Sequence, residues 1–406
     1  MRVAIVHHWF VTQGGGERVA EVIGEMFPEA DLFTLVAEPS FVPPGLAARR
    51  RTVSLLQSLP GGSRIHRHLL PLYPFAVEQL DLTGYDLVLS SDSGPMKGVI
   101  THQDAVHICY CHSPMRYLWD GYHEYAGRMS GLSRLAFALS AHYVRGWDYQ
   151  AAQRVTHFIA NSEYVARRIS HFYGRSSTVI NPPIDTDHGF IANDPGTYYL
   201  AVGRLVGYKR TDILIEACNR LGRELRIVGE GPEMKRLRSI AGPTIRFLGK
   251  LNNSDLWDAY AGCRALLFAA DEDFGMVALE AQACGRPVIA FGKGGSLETV
   301  RGCPDDSLGD KQKLDTATGV FFFEQTEEAV ARAMLRFEAL ESDLSPLVIQ
   351  DHARQFDTGI FKERMWNYIS EVCERRHRQS PKPSTTARKP ADVLTLVAAD
   401  SSHYRR

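Results

Sequence analysis

The chain has 406 residues, 44% of them apolar and 23% charged, with a net charge of −1. This length exceeds one typical hydrophobic core and predicts two domains, and the composition is that of an ordinary globular protein. The seven cysteines include no CxxC pair, which argues against a disulfide framework and a zinc site. No apolar run approaches the length of a membrane span. A cytoplasmic protein fits these features, and peripheral attachment to the inner face of the plasma membrane stays open.

Short apolar runs alternate with longer helix-period segments along most of the chain, which predicts parallel sheets covered by helices. The predicted strands are residues 2–6, 85–91, 105–110 and 156–162 in the first half, and 198–203, 224–230, 245–249, 265–270 and 287–291 in the second. Residues 181–196 are dense in Pro, Asn, Asp and Gly and are predicted to connect the two sets. We therefore expect an α/β fold of two doubly wound domains, 1–185 and 186–357, around a central cleft where such sheets bind ligands.

The chain after residue 357 is predicted to contribute a helix and a tail. Residues 361–376 show a helical pattern, for which packing back on the first domain is one arrangement. From Arg375 to the end there are eight Lys or Arg residues against two Asp, in a segment also rich in Pro, Ser and Thr. Residues 377–406 are therefore expected to form a basic, disordered tail.

The stretch EDFGMVALEAQAC follows a predicted strand and contains a turn and a helix. Glu272 falls on the turn, and Glu280 falls one turn inside the helix. A helix start leaves N–H groups free, here on Phe274, Gly275 and Met276, and its positive end favours oxygen-rich ligands. Both carboxylates can therefore face one pocket that suits a molecule covered in hydroxyls. An equally weighted alternative for Glu280 alone is that a core arginine or backbone amides satisfy it.

Two cations follow the predicted strand 198–203. Arg204 comes directly after the strand, and Lys209 comes five residues later, where a helix is expected to begin. Two cations at a helix start, one of them capable of bidentate contacts, fit a diphosphate clamp. A solvated basic loop is the alternative.

A glycine loop lies near the N-terminus, between a predicted strand and a predicted helix. Gly15 and Gly16 would let a ligand approach the backbone at the helix start. Val19 occupies the third glycine position of the dinucleotide-binding fingerprint, so the sequence departs from that motif. A plain flexible loop is the alternative.

His112 directly follows a predicted strand, at the edge expected to face the cleft. It could act as a base, donate a hydrogen bond to a substrate, or simply pack in a turn. His7 and His8 could approach it. A metal site is disfavoured because no acidic partner stands at ligand spacing.

Together these motifs resemble the family-four glycosyltransferases, which are retaining enzymes of the GT-B fold with two facing Rossmann-like domains. The matching sequences are GGGERV, HSP at 112–114, VGRLVGYKR, VGEGPE, and the E-x7-E element from Glu272 to Glu280. The resemblance covers residues 1–376 and is more specific in the second half. It implies sugar transfer from a nucleotide diphosphate donor to an acceptor hydroxyl with retention of configuration. It also implies that no metal or other cofactor is needed.

The resemblance assigns the donor to residues of the second domain. Arg204 and Lys209 would hold the diphosphate, and Glu280 would contact the nucleotide ribose. Glu272 would hold the donor sugar together with the backbone at 274–276. Leu251 would contact the base.

The remaining assignments lie around the donor sugar. His112 would approach that sugar, so His112 and Glu272 are the expected catalytic residues. Gly15 and Gly16 would approach the phosphates and the acceptor. Asp273 stands where many family members carry glycine, and it is expected to add negative charge beside the sugar.

Residues 64–99 and 107–120 resemble, more narrowly, bacterial mannosyltransferases that build surface or exopolysaccharide repeat units on lipid-linked intermediates. This implies GDP-mannose as donor and a lipid-linked oligosaccharide as acceptor. Residues 39–77 contain no acidic residue but have interleaved apolar side chains and five arginines, at 49, 50, 51, 64 and 67. Such a segment suits an anionic membrane surface; a core-packed helical pair with solvated arginines is the alternative. Nucleic acid is not an expected partner.

Two other functions remain as alternatives. Another GT-B enzyme, such as a nucleotide-sugar epimerase, would turn over the nucleotide sugar without an acceptor. A catalytically silent nucleotide-binding scaffold would show no transfer at all. A dehydrogenase is disfavoured because the dinucleotide fingerprint is missing.

Overall fold

The computed structural model describes residues 1–12, 14–303 and 315–379. Residues 377–379 of the predicted tail belong to the last helix, and residues 380–406 lie outside the described residues. Two sheets of seven parallel strands form the framework of the described chain. Each sheet is a Rossmann-like layer covered by helices, so the expected α/β fold with two doubly wound domains is confirmed.

The first sheet has the strand order β3-β2-β1-β4-β5-β6-β7. Its strands are β1 (Val3–Phe10), β2 (Asp31–Ala37), β3 (Arg51–Val53), β4 (Leu87–Asp92), β5 (Val106–Cys111), β6 (His157–Ala160) and β7 (Ser177–Val179). The second sheet has the order β10-β9-β8-β11-β12-β14-β13. Its strands are β8 (Tyr199–Val202), β9 (Leu225–Val228), β10 (Ile245–Gly249), β11 (Ala265–Phe268), β12 (Val288–Phe291), β13 (Gly302–Cys303) and β14 (Gly319–Phe322).

Ten helices of seven or more residues lie in the described ranges. They are α1 (Gly15–Met26), α2 (Gly131–Arg154), α3 (Glu163–Tyr173), α4 (Thr211–Leu221), α5 (Met234–Ile240), α6 (Asn253–Gly262), α7 (Met276–Ala283), α8 (Glu327–Leu340), α9 (Pro346–Arg354) and α10 (Thr358–Gln379). Shorter α-helices are Pro44–Ala47, Gly62–Ile65, Tyr73–Glu78, Tyr122–Gly127 and Ser296–Thr299. No helix in this part of the chain is both long and apolar enough to cross a bilayer.

Local sequence explains where these elements begin and end. The Ser162 hydroxyl accepts a hydrogen bond from the N–H of Val165 and caps the start of α3, and Gly174 ends that helix in the left-handed conformation. The central strands β4 and β5 are buried at every position, as expected for parallel strands covered on both faces. All nine strands predicted from the sequence are present, whereas β2, β3, β7, β13 and β14 were not predicted.

The order of each sheet reverses where its first strand meets a later one, β1 beside β4 and β8 beside β11. Open α/β sheets bind ligands at this switch point, beyond the carboxyl ends of the strands. The glycine loop follows β1, Arg204 follows β8 and Glu272 follows β11. Sites in both sheets are therefore at the positions that the topology favours.

The chain passes from one sheet to the other near Ile184, which forms a parallel bridge with Asp357. The N–H of Ile184 donates to Phe356, and its carbonyl accepts from Thr358 at the start of α10. The first turn of α10 contacts the first domain, since Lys362 pairs with Glu25 at 2.8 Å. Met1–Met365 form one compact unit, and the described part of a second unit is the rest of α10, from Trp366 to Gln379.

Candidate active site

A cleft of about 820 Å³ opens at the carboxyl ends of both sheets. It brings together most of the residues predicted from sequence: Gly15, Gly16, His112, Lys209, Glu272, Phe274, Gly275 and Met276. Sequence reasoning assigned no site role to several other residues of its wall: Trp9, Glu17, Arg116, Tyr164, Tyr208, Asp271 and Lys293. Arg116 could have been found from its position four residues after His112, and Glu17 and Tyr208 from their places in the GGGERV and VGRLVGYKR motifs. Trp9, Tyr164 and Lys293 carry no local motif.

The loop after β11 presents Glu272 and then starts α7. Gly275 has φ of +93°, a conformation that residues with a side chain rarely adopt, so glycine is required at this turn. The Glu272 carbonyl accepts from the N–H of Gly295, which ties this loop to the one after β12. The Glu272 carboxylate contacts the Lys209 ammonium. Two residues to which the resemblance gave neighbouring roles are therefore in direct contact.

Arg204 lies on the other side of Lys209. It is exposed and lines a smaller cavity of about 20 Å³ beyond the end of β8. Lys209 lines both this cavity and the main cleft. The two predicted diphosphate ligands thus share one edge of the second sheet, with Lys209 between Arg204 and Glu272.

Glu280 is half-buried inside α7, and it lines neither of these two cavities. The Tyr260 hydroxyl donates a hydrogen bond to its carboxylate. Burial raises the pKa of Glu280, and the bond from Tyr260 opposes that shift. Leu251 packs on the same apolar cluster as Tyr260. The partner of Glu280 is therefore a phenol, which neither alternative of the sequence analysis included.

His112 is fixed by contacts on several sides. Its Nε2 lies 2.8 Å from the Ser91 hydroxyl, its N–H donates to the carbonyl of Asp92, and its carbonyl accepts from Asn161. Burial, reinforced by the neighbouring His8, lowers the pKa of His112 to about 3. The imidazole is therefore neutral at pH 7, where it can exchange hydrogen bonds with a sugar but carries no charge.

The glycine loop meets the donor loop directly. A Cβ atom at Gly15 would lie 2.6 Å from the Met276 sulfur, and one at Gly16 would lie 3.7 Å from the rings of His112, His7 and His8. At Gly15 a methyl group would have to displace Met276. A residue with a side chain at Gly15 would therefore require the flexible Met276 side chain to shift.

Asp273 is held by arginines from the first domain. Its Oδ1 lies 2.7 Å from Arg168 and 3.0 Å from Arg116, and its carbonyl accepts a hydrogen bond from Ser162. Burial alone would lower the pKa of Arg116, but the Asp273 carboxylate outweighs this effect and raises it. Two guanidinium groups therefore compensate the negative charge that Asp273 adds at the cleft, and the effect of Asp273 on the sugar stays a prediction.

A second link crosses the cleft nearby. The Glu298 carboxylate accepts hydrogen bonds from the N–H groups of Glu163 and Tyr164, at 2.8 and 2.9 Å. These are the first two residues of α3, where free N–H groups and the positive helix end favour an anion. The start of α3 and the arginines thus both bind acidic groups from the second domain.

Within the described ranges, His7, His8 and Glu17 form one cluster whose potential ligand atoms lie within 4.8 Å of one another. All three side chains are buried. The sequence analysis disfavoured a metal near His7 because no acidic partner was evident, but folding brings Glu17 of α1 to the end of β1. The cluster borders the cleft through His8 and Glu17.

Comparison with known proteins agrees with this geometry. Residues 13–188 match the family described as Glycosyltransferase Family 4, and residues 196–338 match the family described as Glycosyl transferases group 1. With its two facing Rossmann-like domains, the chain has the architecture of the GT-B glycosyltransferases. The two matched models, one in each domain, both describe glycosyltransferases.

Individual relatives show partial matches. The D-inositol 3-phosphate glycosyltransferase of Geodermatophilus obscurus is 30% identical over 189 residues, which is 38% of this chain and 42% of that protein. The GDP-mannose-dependent alpha-(1-6)-phosphatidylinositol monomannoside mannosyltransferase of Mycolicibacterium smegmatis is 29% identical over 234 residues, 47% of this chain and 60% of that one. The match therefore spans about half the length of these relatives.

A solved structure shows the same fold over nearly the whole chain. HepE of Anabaena, in complex with UDP and glucose, superposes with a TM-score of 0.66 at 16% identity. The superposition covers 91% of this chain and 99% of that one. At this identity the likeness concerns the fold alone.

Proposed function

We propose that this protein is a retaining glycosyltransferase that moves mannose from GDP-mannose to a hydroxyl of a lipid-linked glycan intermediate in surface or exopolysaccharide synthesis. The observation that carries the proposal is the convergence of Lys209, Glu272, the start of α7 and His112 on one cleft between two sheets. This set combines a cation, a carboxylate, free N–H groups and a neutral imidazole, which matches a diphosphate joined to a sugar.

Charge on the departing diphosphate is met by the second domain. Arg204 and Lys209 supply two cations beside the positive end of α7, and fixed charges of this kind stabilise a leaving group without rearrangement. Lys209 now contacts Glu272. A bound diphosphate would compete for Lys209 and leave the Glu272 carboxylate to accept hydrogen bonds from the sugar hydroxyls.

The neutral His112 acts on the sugar from the opposite wall. If the Ser91 hydroxyl donates to Nε2, Nδ1 carries the proton and can donate to a sugar oxygen. Replacing His112 with glutamine keeps a donor but loses the ring geometry, and we expect transfer to fall by about tenfold to a hundredfold. Donor binding should change less than transfer.

The Mycolicibacterium smegmatis relative, which is named GDP-mannose-dependent, supports mannose as the transferred sugar. The narrower resemblance of residues 64–99 and 107–120 points the same way. HepE is named in complex with UDP and glucose, so UDP-glucose is the competing donor to include in any assay.

We propose that transfer needs no metal ion, since Arg204, Lys209 and the α7 start would supply the positive charge that the diphosphate requires. Incubation with EDTA should leave the rate unchanged. If EDTA abolishes transfer and Zn²⁺ or Mn²⁺ restores it, the proposal is wrong, and the cluster of His7, His8 and Glu17 becomes the candidate metal site.

The decisive assay mixes the protein with GDP-mannose and a polyprenyl-diphosphate-linked glycan, and follows mannosylated lipid and GDP. The product should keep the anomeric configuration of the donor. Glu272→Gln should abolish most transfer, while Glu341→Gln, a charge change far from the cleft, should not. Turnover of GDP-mannose without acceptor would favour an epimerase, and inertness toward every donor would favour a silent scaffold.

We also propose peripheral membrane contact through residues 39–77. The segment is mixed: Leu56, Leu70 and Tyr73 are buried in the first domain, whereas Leu72 and Phe75 are 42% and 57% exposed. Arg49 donates to the carbonyls at residues 24, 27 and 30, so it closes the end of α1 and is a structural residue.

The cations to test are therefore Arg50, Arg51 and Arg64. Their joint replacement by glutamine should weaken binding to anionic vesicles, each cation contributing about 1 kcal/mol. Unaltered vesicle binding would reject this part of the proposal.

A further inference from the structure

The first half of α2 carries an apolar face that the described residues of the chain leave exposed. Leu132, Leu135, Leu139 and Tyr143 are 85%, 57%, 66% and 57% exposed. Their spacing of three, four and four residues puts them on one side of the helix. Four large apolar side chains on one surface of a helix mark an interaction site more often than chance exposure.

The opposite side of α2 already supplies the contacts that the domain needs. Ala141 and Val144 are fully buried in the core of the first domain, and Phe137 packs against the same core and stacks on Tyr122 at 5.6 Å. The helix is thus apolar on two sides, of which only one is covered. A second apolar side has no role in the folded chain by itself.

The charges around this face have one sign. From Tyr125 to Trp147 the sequence contains no acidic residue but has three arginines and one histidine. Arg134 and His142 are exposed, whereas Arg145 turns inward and donates to the carbonyl of Leu118. The two acidic residues that flank this stretch are both paired, Glu124 with Arg128 and the buried Asp148 with Lys97.

The segment 39–77 packs beside the same helix. Residues Leu70–Leu72 contact α2, and Leu72 and Phe75 are exposed just beside that contact. This segment also contains basic residues and no acidic residue. Two separate stretches of sequence that are apolar, basic and free of acids are therefore brought together by the fold.

We propose that this docking face, formed by Leu72, Phe75, Leu132, Leu135, Leu139 and Tyr143, binds the surface of an anionic lipid bilayer. Leucine and tyrosine side chains bury well at the boundary of headgroups and acyl chains, and anionic headgroups supply the counter-charge for Arg134 and the arginines of residues 50–64. A second copy of the chain fits less well, because a two-fold contact would oppose basic surfaces with no acidic residue in either segment.

The docking face adjoins the cleft. The short helix Tyr122–Gly127 leads into α2, and Tyr125 and Arg128 on and after this helix line the cleft wall. A membrane bound at α2 would hold a lipid-linked glycan near the cleft entrance. This consequence rests on the proposed function, whereas lipid binding itself does not require it.

The test is flotation of the full-length protein with vesicles of phosphatidylcholine and phosphatidylglycerol in a 3:1 ratio, compared with phosphatidylcholine alone. The wild type should bind the anionic vesicles, and less so at high salt. The triple variant Leu132→Ser, Leu135→Ser, Leu139→Ser should lose about tenfold or more in partitioning. A matched control replaces two exposed leucines of the second domain, Leu335→Ser and Leu347→Ser (49% and 66% exposed), and should bind like the wild type.

Two further readouts separate the possible failures. Stabilisation by GDP-mannose should persist in the triple variant, which would show that it is folded and binds donor. If donor stabilises neither protein while vesicle binding is intact, the proposed function fails and the docking face stands. The docking face is rejected if the triple variant binds vesicles normally, if the wild type does not bind them, or if sedimentation shows a dimer that the triple variant lacks.

Discussion

Asp273 and Arg168 join the two domains across the cleft, with Oδ1 of the carboxylate 2.7 Å from Nη1 of the guanidinium. Asp273 directly follows Glu272 on the donor loop, whereas Arg168 lies in the middle of α3 and is only 6% exposed. The position of the donor loop is therefore set partly by the first domain. A change that loosens this pair should affect both stability and donor binding.

Replacing Asp273 with asparagine should lower the free energy of unfolding by about 2 kcal/mol, since the nearly buried Arg168 loses a charged partner but keeps Asp120. Donor affinity should fall as well. A double-mutant cycle with Arg168→Gln, followed by urea unfolding, should give a coupling of about 1 kcal/mol or more. The exposed pair of Asp351 and Arg354 is the control, with a coupling of less than about 1 kcal/mol. Equal coupling in both pairs would contradict the role given to Asp273.

Glu280 is expected to bind the ribose of the donor. Glu280→Ala should raise the dissociation constant for the donor by about tenfold, the loss of a hydrogen bond to a charged group. The protein should stay folded, since the main loss is the hydrogen bond from Tyr260, a cost of about 1–3 kcal/mol. Calorimetric titration with donor measures the effect, and Tyr260→Phe tests how far the phenol positions the carboxylate. Normal affinity and normal transfer in a folded Glu280→Ala protein would remove Glu280 from the donor site.

Gly15→Ala should impair transfer without unfolding the chain. The added methyl group would lie 2.6 Å from the Met276 sulfur, so Met276 must move away from the donor loop, at a cost of about 1–3 kcal/mol. We expect kcat/KM to fall at least about fivefold, and Met276→Ala in the same chain should recover part of the loss. Gly127→Ala is the control, because nothing lies within 4 Å of a Cβ there. Identical kinetics for both alanine variants would show that the glycine loop does not need its close approach.

Acid should destabilise the protein through buried histidines. Burial is the main cause that lowers the pKa values of His107 and His352 to about 4 each, while the unfolded chain titrates near 6.5. The contribution of these two histidines to folding stability is complete above pH 6.5. It is lost as the pH falls toward 4, because between these pH values only the unfolded state binds the protons. At pH 5 the loss is about 2 kcal/mol for each group.

Urea unfolding at pH 7 and pH 5 measures this dependence. In the His352→Gln variant, the difference in the free energy of unfolding between pH 7 and pH 5 should be about 2 kcal/mol smaller than in the wild type. The exposed His142→Gln should leave it unchanged. A wild-type difference that His352→Gln does not reduce would show that His352 is not one of the titrating groups.

The sequence predicted well what depends on local pattern. The alternation of strands and helices placed β11 and α7, and the motifs that follow β8 and β11 placed Lys209 and Glu272 at one cleft. Short strands such as β3 and β13 have too few residues for a pattern, and they form because a neighbouring strand is already in place. Contacts between distant segments were equally inaccessible: no local signal links Arg168 to Asp273, or Tyr260 to Glu280. The exposure of Leu132 and Leu139 likewise follows from which side of α2 the core covers.

The most direct test of the central claim is thermal unfolding with a panel of GDP, UDP, ADP, CMP and NAD, then GDP-mannose and UDP-glucose. A ligand at 100 times its dissociation constant should add about 2.7 kcal/mol to stability. We predict that GDP and GDP-mannose stabilise the wild type, and that Lys209→Gln loses most of this effect. Stabilisation by UDP species alone would contradict the choice of donor. No stabilisation by any nucleotide would contradict the proposed transferase itself.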